Sequence, residues 1–206
     1  KVKMIKDKKW RLVKMKKIFS KVVAGALVLC MATLSLSIPS KADNPVVQNI
    51  YTADPAPMVS GDTLYLYTSH DEDKLIKNFY TMNDWKCYST KDMVNWTDHG
   101  TIAVSGNKGA AKWSANSWAP AVCHKKINGK EKFFLYFANN ASSIGVLTAD
   151  SPTGPWTDPI GKPIIDRSIK GCAESEIGWL FDPAVLVDDD GTGYLYFGGI
   201  GNTDGK

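Results

Sequence analysis

Asp54 and Asp182 each stand directly before a proline inside an otherwise apolar run, in "YTADPAPMV" from Tyr51 and "LFDPAVLV" from Leu180. The phrase occurs a third time with alanine in the acidic slot, in "SWAPAVCH" from Ser117. An aspartate before proline is by itself a common turn former. Its recurrence in one slot of a repeated phrase, between apolar neighbours, points instead to chemistry. Two carboxylates presented to one pocket are what hydrolysis of a glycosidic bond requires.

The elements that must position them recur as well. Pro55, Pro120 and Pro183 are spaced by 65 and 63 residues. Each opening phrase is followed by an aromatic, alternating run: "TLYLYTS" from Thr63, "FFLYFAN" from Phe133 and "GYLYFGG" from Gly193. Such runs read as strands. The first two units close on the same W-T-D, at Trp96 and Trp156. Gly61-Asp62, Asn128-Gly129 and Asp190-Gly191 are turn signals between strands, and no stretch after residue 42 shows sustained helical periodicity.

All-β units of 60-odd residues that cannot bury both faces alone fit the blades of a β-propeller; a β-sandwich is the runner-up. The first strand of a propeller blade usually lies nearest the axis. Asp54 and Asp182 would then face a common funnel from the first and third blades, with Ala119 leaving room in the second. The expected organisation is a leader over 1–42 and a propeller domain over 43–206. Blade 1 covers about 50–105, blade 2 about 117–165, and blade 3 begins at about 180 and is cut off.

The set "YTADPAPM", "SWAPAV", "FDPAVLVDDDGTGYLYFGG" and "YSTKDMVNWTDHG" resembles glycoside hydrolase family 43, and the similarity covers roughly residues 44 to 206. The resemblance implies a five-bladed β-propeller, present here to about two and a half blades. It also implies an inverting enzyme that removes arabinofuranosyl or xylosyl units from plant polysaccharides such as arabinoxylan, arabinan and xylan. By the same resemblance Asp54 is the general base that activates water. Asp182 is the carboxylate that raises the pKa of the general acid, as a neighbouring negative charge does. The acid itself, a glutamate of a later blade, has no counterpart, since Glu174 and Glu176 precede the third-blade motif. The fragment alone is therefore expected to be inactive. Base and acid of an inverting enzyme stand about 6.5–9.5 Å apart.

Trp118, Phe181, Asn139, His70 and Asp71 are the expected substrate-binding residues. Trp118 matches an aromatic that in the family lines the sugar pocket; core packing explains it equally well. Asn139 ends a strand on the expected funnel, where turn chemistry is the alternative. His70 and Asp71 belong to "SHDED" from Ser69, which resembles a loop bordering the substrate site in some members; solvated charge is the alternative.

No metal is predicted from His70, His99 and His124, which lack ligand spacing. The acidic "DDDG" ending at Gly191 lacks the alternation of a calcium loop and reads as a hairpin turn. No cofactor is needed for the chemistry. A structural calcium in a complete propeller fits the resemblance but rests on no residue here. Cys87, Cys123 and Cys172 show no zinc or disulfide pattern and read as small buried hydrophobes or at most one bridge.

The chain of 206 residues has a formal charge of +4, which the leader dominates. Residues 1–42 hold 11 of the 25 Lys and Arg but only Asp7 among the acids, which leaves 14 basic against 20 acidic residues beyond them. That acidic balance argues against nucleic acid as a partner. The Lys-rich start, the apolar run from Val22 to about Leu36 and the small residues ending at Ala42 read as a secretory signal cleaved near Ala42. A secreted or cell-surface protein without stable membrane insertion follows. An uncleaved anchor is the alternative, and a lipid on Cys30 is disfavoured by Leu29 before it. A carbohydrate-binding propeller without catalysis, or a purely structural one, is the competing function. The residues do not separate arabinofuranosidase from xylosidase, nor exo from endo action.

Overall fold

The computed structural model describes residues 45–74 and 79–199; the leader and its cleavage site lie outside them. Nine strands and no helix occur among the described residues: β1 (Tyr51–Ser60), β2 (Thr63–Asp71), β3 (Met82–Thr90), β4 (Thr97–Val104), β5 (Trp118–Ile127), β6 (Lys130–Asn139), β7 (Ser143–Ala149), β8 (Phe181–Val187) and β9 (Gly193–Gly198). They form three antiparallel sheets, ordered β1-β2-β3-β4, β5-β6-β7 and β8-β9. Each sheet begins with one of the three Pro-containing phrases and continues with its aromatic run.

The hairpins follow their turn chemistry. Asn128 and Gly129 join β5 to β6 with φ of 51° and 78°, the double left-handed geometry of the tight turn that Asn-Gly favours. The "DDDG" run forms the β8–β9 turn, closed by hydrogen bonds from Gly191 N–H to Asp188 and from Asp188 N–H to Thr192. The two W-T-D copies also correspond. Thr97 starts β4 and pairs with Ser89, while Thr157 forms a bridge to Thr148 on the free side of β7. On that side of β7 pairing is reduced to this bridge and a second one between Ile144 and Ile165.

Alternation in β6 buries Phe133, Leu135 and Phe137 on one face. They join Tyr67, Trp85, Leu147 and Trp156 in a core shared by the first two sheets. Trp85 packs on Phe137 with ring centroids 4.8 Å apart, and Trp113 stacks on Phe137 at 5.6 Å. Gly145 permits this approach, because a Cβ there would lie 2.4 Å from the Phe137 ring and 2.7 Å from Trp113. The Tyr67 hydroxyl donates to the Pro152 carbonyl at 2.7 Å, and Trp85 Nε1 donates to the Trp118 carbonyl at 3.2 Å. A second cluster of Met82, Trp118, Ala138 and Ile144 takes in Phe181, Leu195 and Phe197 from the third sheet. Cys87, Cys123 and Cys172 are all free thiols, Cys87 and Cys172 buried.

Candidate active site

All three Pro phrases interrupt their ladders. Pairing register shifts between Ala53 and Ala56, between Trp118 and Pro120, and between Phe181 and Ala184. Proline has no N–H to give a ladder, so it belongs at such a bulge. At two of the three bulges the residue before proline is left-handed, Asp54 with φ 55° and Asp182 with φ 48°. That region is open to aspartate and asparagine more readily than to other side chains. Backbone in this conformation persists only where its surroundings hold it, and it concentrates at functional sites.

The two aspartates open onto one cavity of about 400 Å³, lined by Ala53, Asp54, Asp71, Tyr80, Met82, Trp118, Ala119, Trp179, Phe181 and Asp182. Ala119, the neutral member of the repeated slot, contributes wall and space. Buried Ser69, on β2, donates from its hydroxyl to Asp54 Oδ2 at 2.8 Å and lies 3.1 Å from the Ala53 carbonyl. One hydroxyl proton serves one acceptor at a time, and the charged, closer carboxylate is the stronger.

Two of the carboxyl groups lining the cavity are shifted in the same direction. Burial pushes Asp182 above its ordinary value, and the charge of Asp54 adds to the shift. Asp71 is raised by the same two causes in the same order, with His70 opposing.

Of the expected site residues, the structure brings Asp54, Asp71, Trp118, Phe181 and Asp182 together on the cavity. It places His70 and Asn139 elsewhere. Asn139 Oδ1 accepts hydrogen bonds from the backbone N–H groups of Ala115 and Asn116 at 2.9 and 3.3 Å, while Ser114 Oγ, 3.1 Å away, donates to the Asn116 carbonyl at 2.6 Å. Its amide oxygen fastens the loop leading into β5. His70 Nδ1 lies 2.7 Å from Asp84 Oδ1, and Lys86 Nζ lies 2.8 Å from Asp84 Oδ2, which also takes the Thr101 hydroxyl. Although burial opposes it, hydrogen bonds from Lys86, Thr101 and His70 hold Asp84 below its ordinary value.

His70, Glu72 and Asp84 come close enough to share a cation, with ligand atoms within 4.8 Å of one another. Their separation along the chain hid this grouping from a spacing argument, because β2 and β3 bring it together. Both Asp84 oxygens are already taken up by the protein, and Glu72 Oε1 accepts from Asn83 Nδ2 at 2.8 Å.

Three contributors escaped the sequence reading. Tyr80 and Trp179 line the cavity with partly exposed rings, and Ser69 holds Asp54. Trp118 is buried, and its indole N–H has no acceptor among the described residues. Glu174 and Glu176 do not line the cavity; Glu176 Oε2 instead accepts from the N–H groups of Gly171 and Ala173.

Residues 42–206 match the family described as Glycosyl hydrolases family 43. An arabinoxylan arabinofuranohydrolase of Paenibacillus polymyxa is 54% identical over 169 residues, which are 76% of this chain and 26% of that protein. Xylosidase/arabinosidase 43A of Humicola insolens is 36% identical over 170 residues, 76% of this chain and 46% of that protein. Among solved structures, a glycoside hydrolase family 43 arabinoxylan arabinofuranohydrolase from Bacillus subtilis, in complex with cellotetraose, superposes with a TM-score of 0.71 at 48% identity, covering 80% of this chain and 36% of that one. The chain thus spans between a quarter and a half of the length of these relatives.

Proposed function

This chain belongs to glycosyl hydrolase family 43, and from that premise we propose that the protein containing it is a secreted glycoside hydrolase that removes arabinofuranosyl units from arabinoxylan with inversion. The observation that carries the reading is the presentation of Asp54 and Asp182 to one cavity from equivalent bulges in two sheets. Higher identity to an arabinoxylan arabinofuranohydrolase than to a xylosidase/arabinosidase favours arabinose over xylose as the released sugar.

In the mechanism we propose, Asp54 takes a proton from a water molecule while that water's oxygen bonds to the anomeric carbon from the face opposite the leaving group. The glycosidic C–O bond breaks, its electron pair goes to the departing oxygen, and a protonated carboxylic acid supplies the proton. Asp182 disfavours ionisation of that acid and so keeps it loaded near neutral pH. No glutamate lines the cavity among the described residues, and the acid is assigned to a part of the propeller beyond them. Ser69 orients the base, and Trp118 and Phe181 supply apolar surface for the sugar ring.

We read the three sheets as successive blades of a five-bladed propeller, with further blades completing the funnel. On this reading residues 43–206 alone are inactive, because base and modulator lack a proton donor. The competing reading is a propeller that binds carbohydrate without cleaving it. Assay of the complete protein on arabinoxylan, an aryl α-arabinofuranoside and an aryl β-xyloside separates them. Arabinose release supports the proposal, xylose release redirects it to a xylosidase, and binding without release favours the competitor.

A further inference from the structure

The segment joining β7 to β8 runs for some thirty residues without a strand of its own, and Arg167 organises its second half. Its guanidinium donates from Nη1 to the carbonyls of Cys172 and Ile177, at 3.3 and 2.5 Å, and from Nη2 to those of Ala141 and Gly178, at 2.7 and 2.9 Å. All four are backbone acceptors, drawn from two separate stretches of chain. A planar fork of five donors can serve all four at once; the three donors of a lysine ammonium cannot.

The clasp lies directly before the cavity wall. The Ala141 carbonyl also accepts the Leu180 N–H at 2.9 Å, and Ser142 forms a bridge to buried Leu180. Trp179 is therefore held between Gly178, whose carbonyl is on Arg167, and Leu180, whose N–H is on Ala141. The next two residues, Phe181 and Asp182, line the cavity, and Asp182 has the left-handed φ of 48° that its surroundings must maintain. Glu176 adds a second tie within the loop through the N–H groups of Gly171 and Ala173.

We infer that Arg167 is a positioning residue of this site: by gathering four carbonyls it fixes Trp179, Phe181 and Asp182 relative to Asp54. It touches neither substrate nor reacting atoms. The role in catalysis rests on the function proposed above, and the positioning itself does not.

The test uses Arg167→Lys and Arg167→Gln in the complete protein, with two readouts. Amide hydrogen exchange in peptides covering 171–182 should quicken at least about tenfold in both variants while β2 and β3 keep their protection, as expected of a local opening. The basic limb of the kcat/KM pH profile should move to lower pH by about half a unit or more, because a displaced Asp182 no longer opposes ionisation of the acid. A merely structural role would lower the active fraction and scale the profile without moving it. Unchanged exchange, or an active pair of variants with an unmoved profile, overturns the inference. Failure of both variants to fold also overturns it, making Arg167 a determinant of the fold as a whole. A wild-type protein without glycosidase activity defeats the proposed function and leaves exchange alone to decide the positioning.

Discussion

Asp54 and Asp182, 128 positions apart, share one backbone conformation: both are left-handed, with φ of 55° and 48°, and both stand before a proline at a register shift in the first strand of a sheet. Ala119 occupies the matching slot of the second sheet, also beside a register shift, and is not among the residues with positive φ. The acidic side chain and the strained backbone therefore occur together. Asparagine tolerates the same conformation, which makes Asp→Asn the substitution that tests charge without disturbing the bulge.

Asp182→Asn should stabilise the protein near neutral pH. Burial, then the Asp54 charge, raises the Asp182 carboxyl in the fold, so the folded state holds the proton more tightly than the unfolded one. A raised carboxyl contributes its stability at low pH and loses it as pH rises through the folded value. The gain in Tm for Asp182→Asn should therefore be present at pH 7 and vanish below the ordinary carboxylate range, while turnover falls. A Tm that drops at pH 7, measured by calorimetry across the pH range, would contradict this.

Ser69→Ala should lower turnover by about tenfold with little change in KM, since the Ser69 hydroxyl holds Asp54 Oδ2 at 2.8 Å. A hydrogen bond to a charged group is worth about 1.5–3 kcal/mol, of which orientation of the base is one share. Steady-state kinetics beside a thermal melt separate loss of orientation from loss of fold.

Tyr67→Phe should cost about 1–3 kcal/mol of stability, because it leaves the Pro152 carbonyl, bonded at 2.7 Å across the first two sheets, without its donor. Chemical denaturation should give a lower midpoint at similar slope. A neutral result would mean that this contact between sheets is dispensable.

What could be read from the sequence was whatever repeats or alternates. Pro55, Pro120 and Pro183 lie in the first strand of each sheet, the aromatic runs are strands, and the two W-T-D copies hold corresponding edge positions. Asp54 and Asp182 stood out because their slot recurs. What escaped depends on cross-strand register or on unpatterned loops. Ser69 reaches Asp54 only because β1 and β2 pair, and His70 turns to Asp84 through the β2–β3 pairing. Asn139 sits where a funnel residue is expected, yet the backbone N–H groups of Ala115 and Asn116 donate to its carbonyl oxygen. Trp179 and Arg167 lie in a segment whose path no periodicity announces.

The most direct test of the account is the configuration of the sugar first released from an α-arabinofuranoside by the complete protein, followed by proton NMR, alongside Asp54→Asn. Inversion predicts that the β-anomer appears first and then mutarotates, and that Asp54→Asn, correctly folded, loses at least about 10²-fold in turnover, the low end of what a general base supplies. First release of the α-anomer, or near-wild-type turnover in Asp54→Asn, would contradict the assignment of Asp54 as the base of an inverting hydrolase.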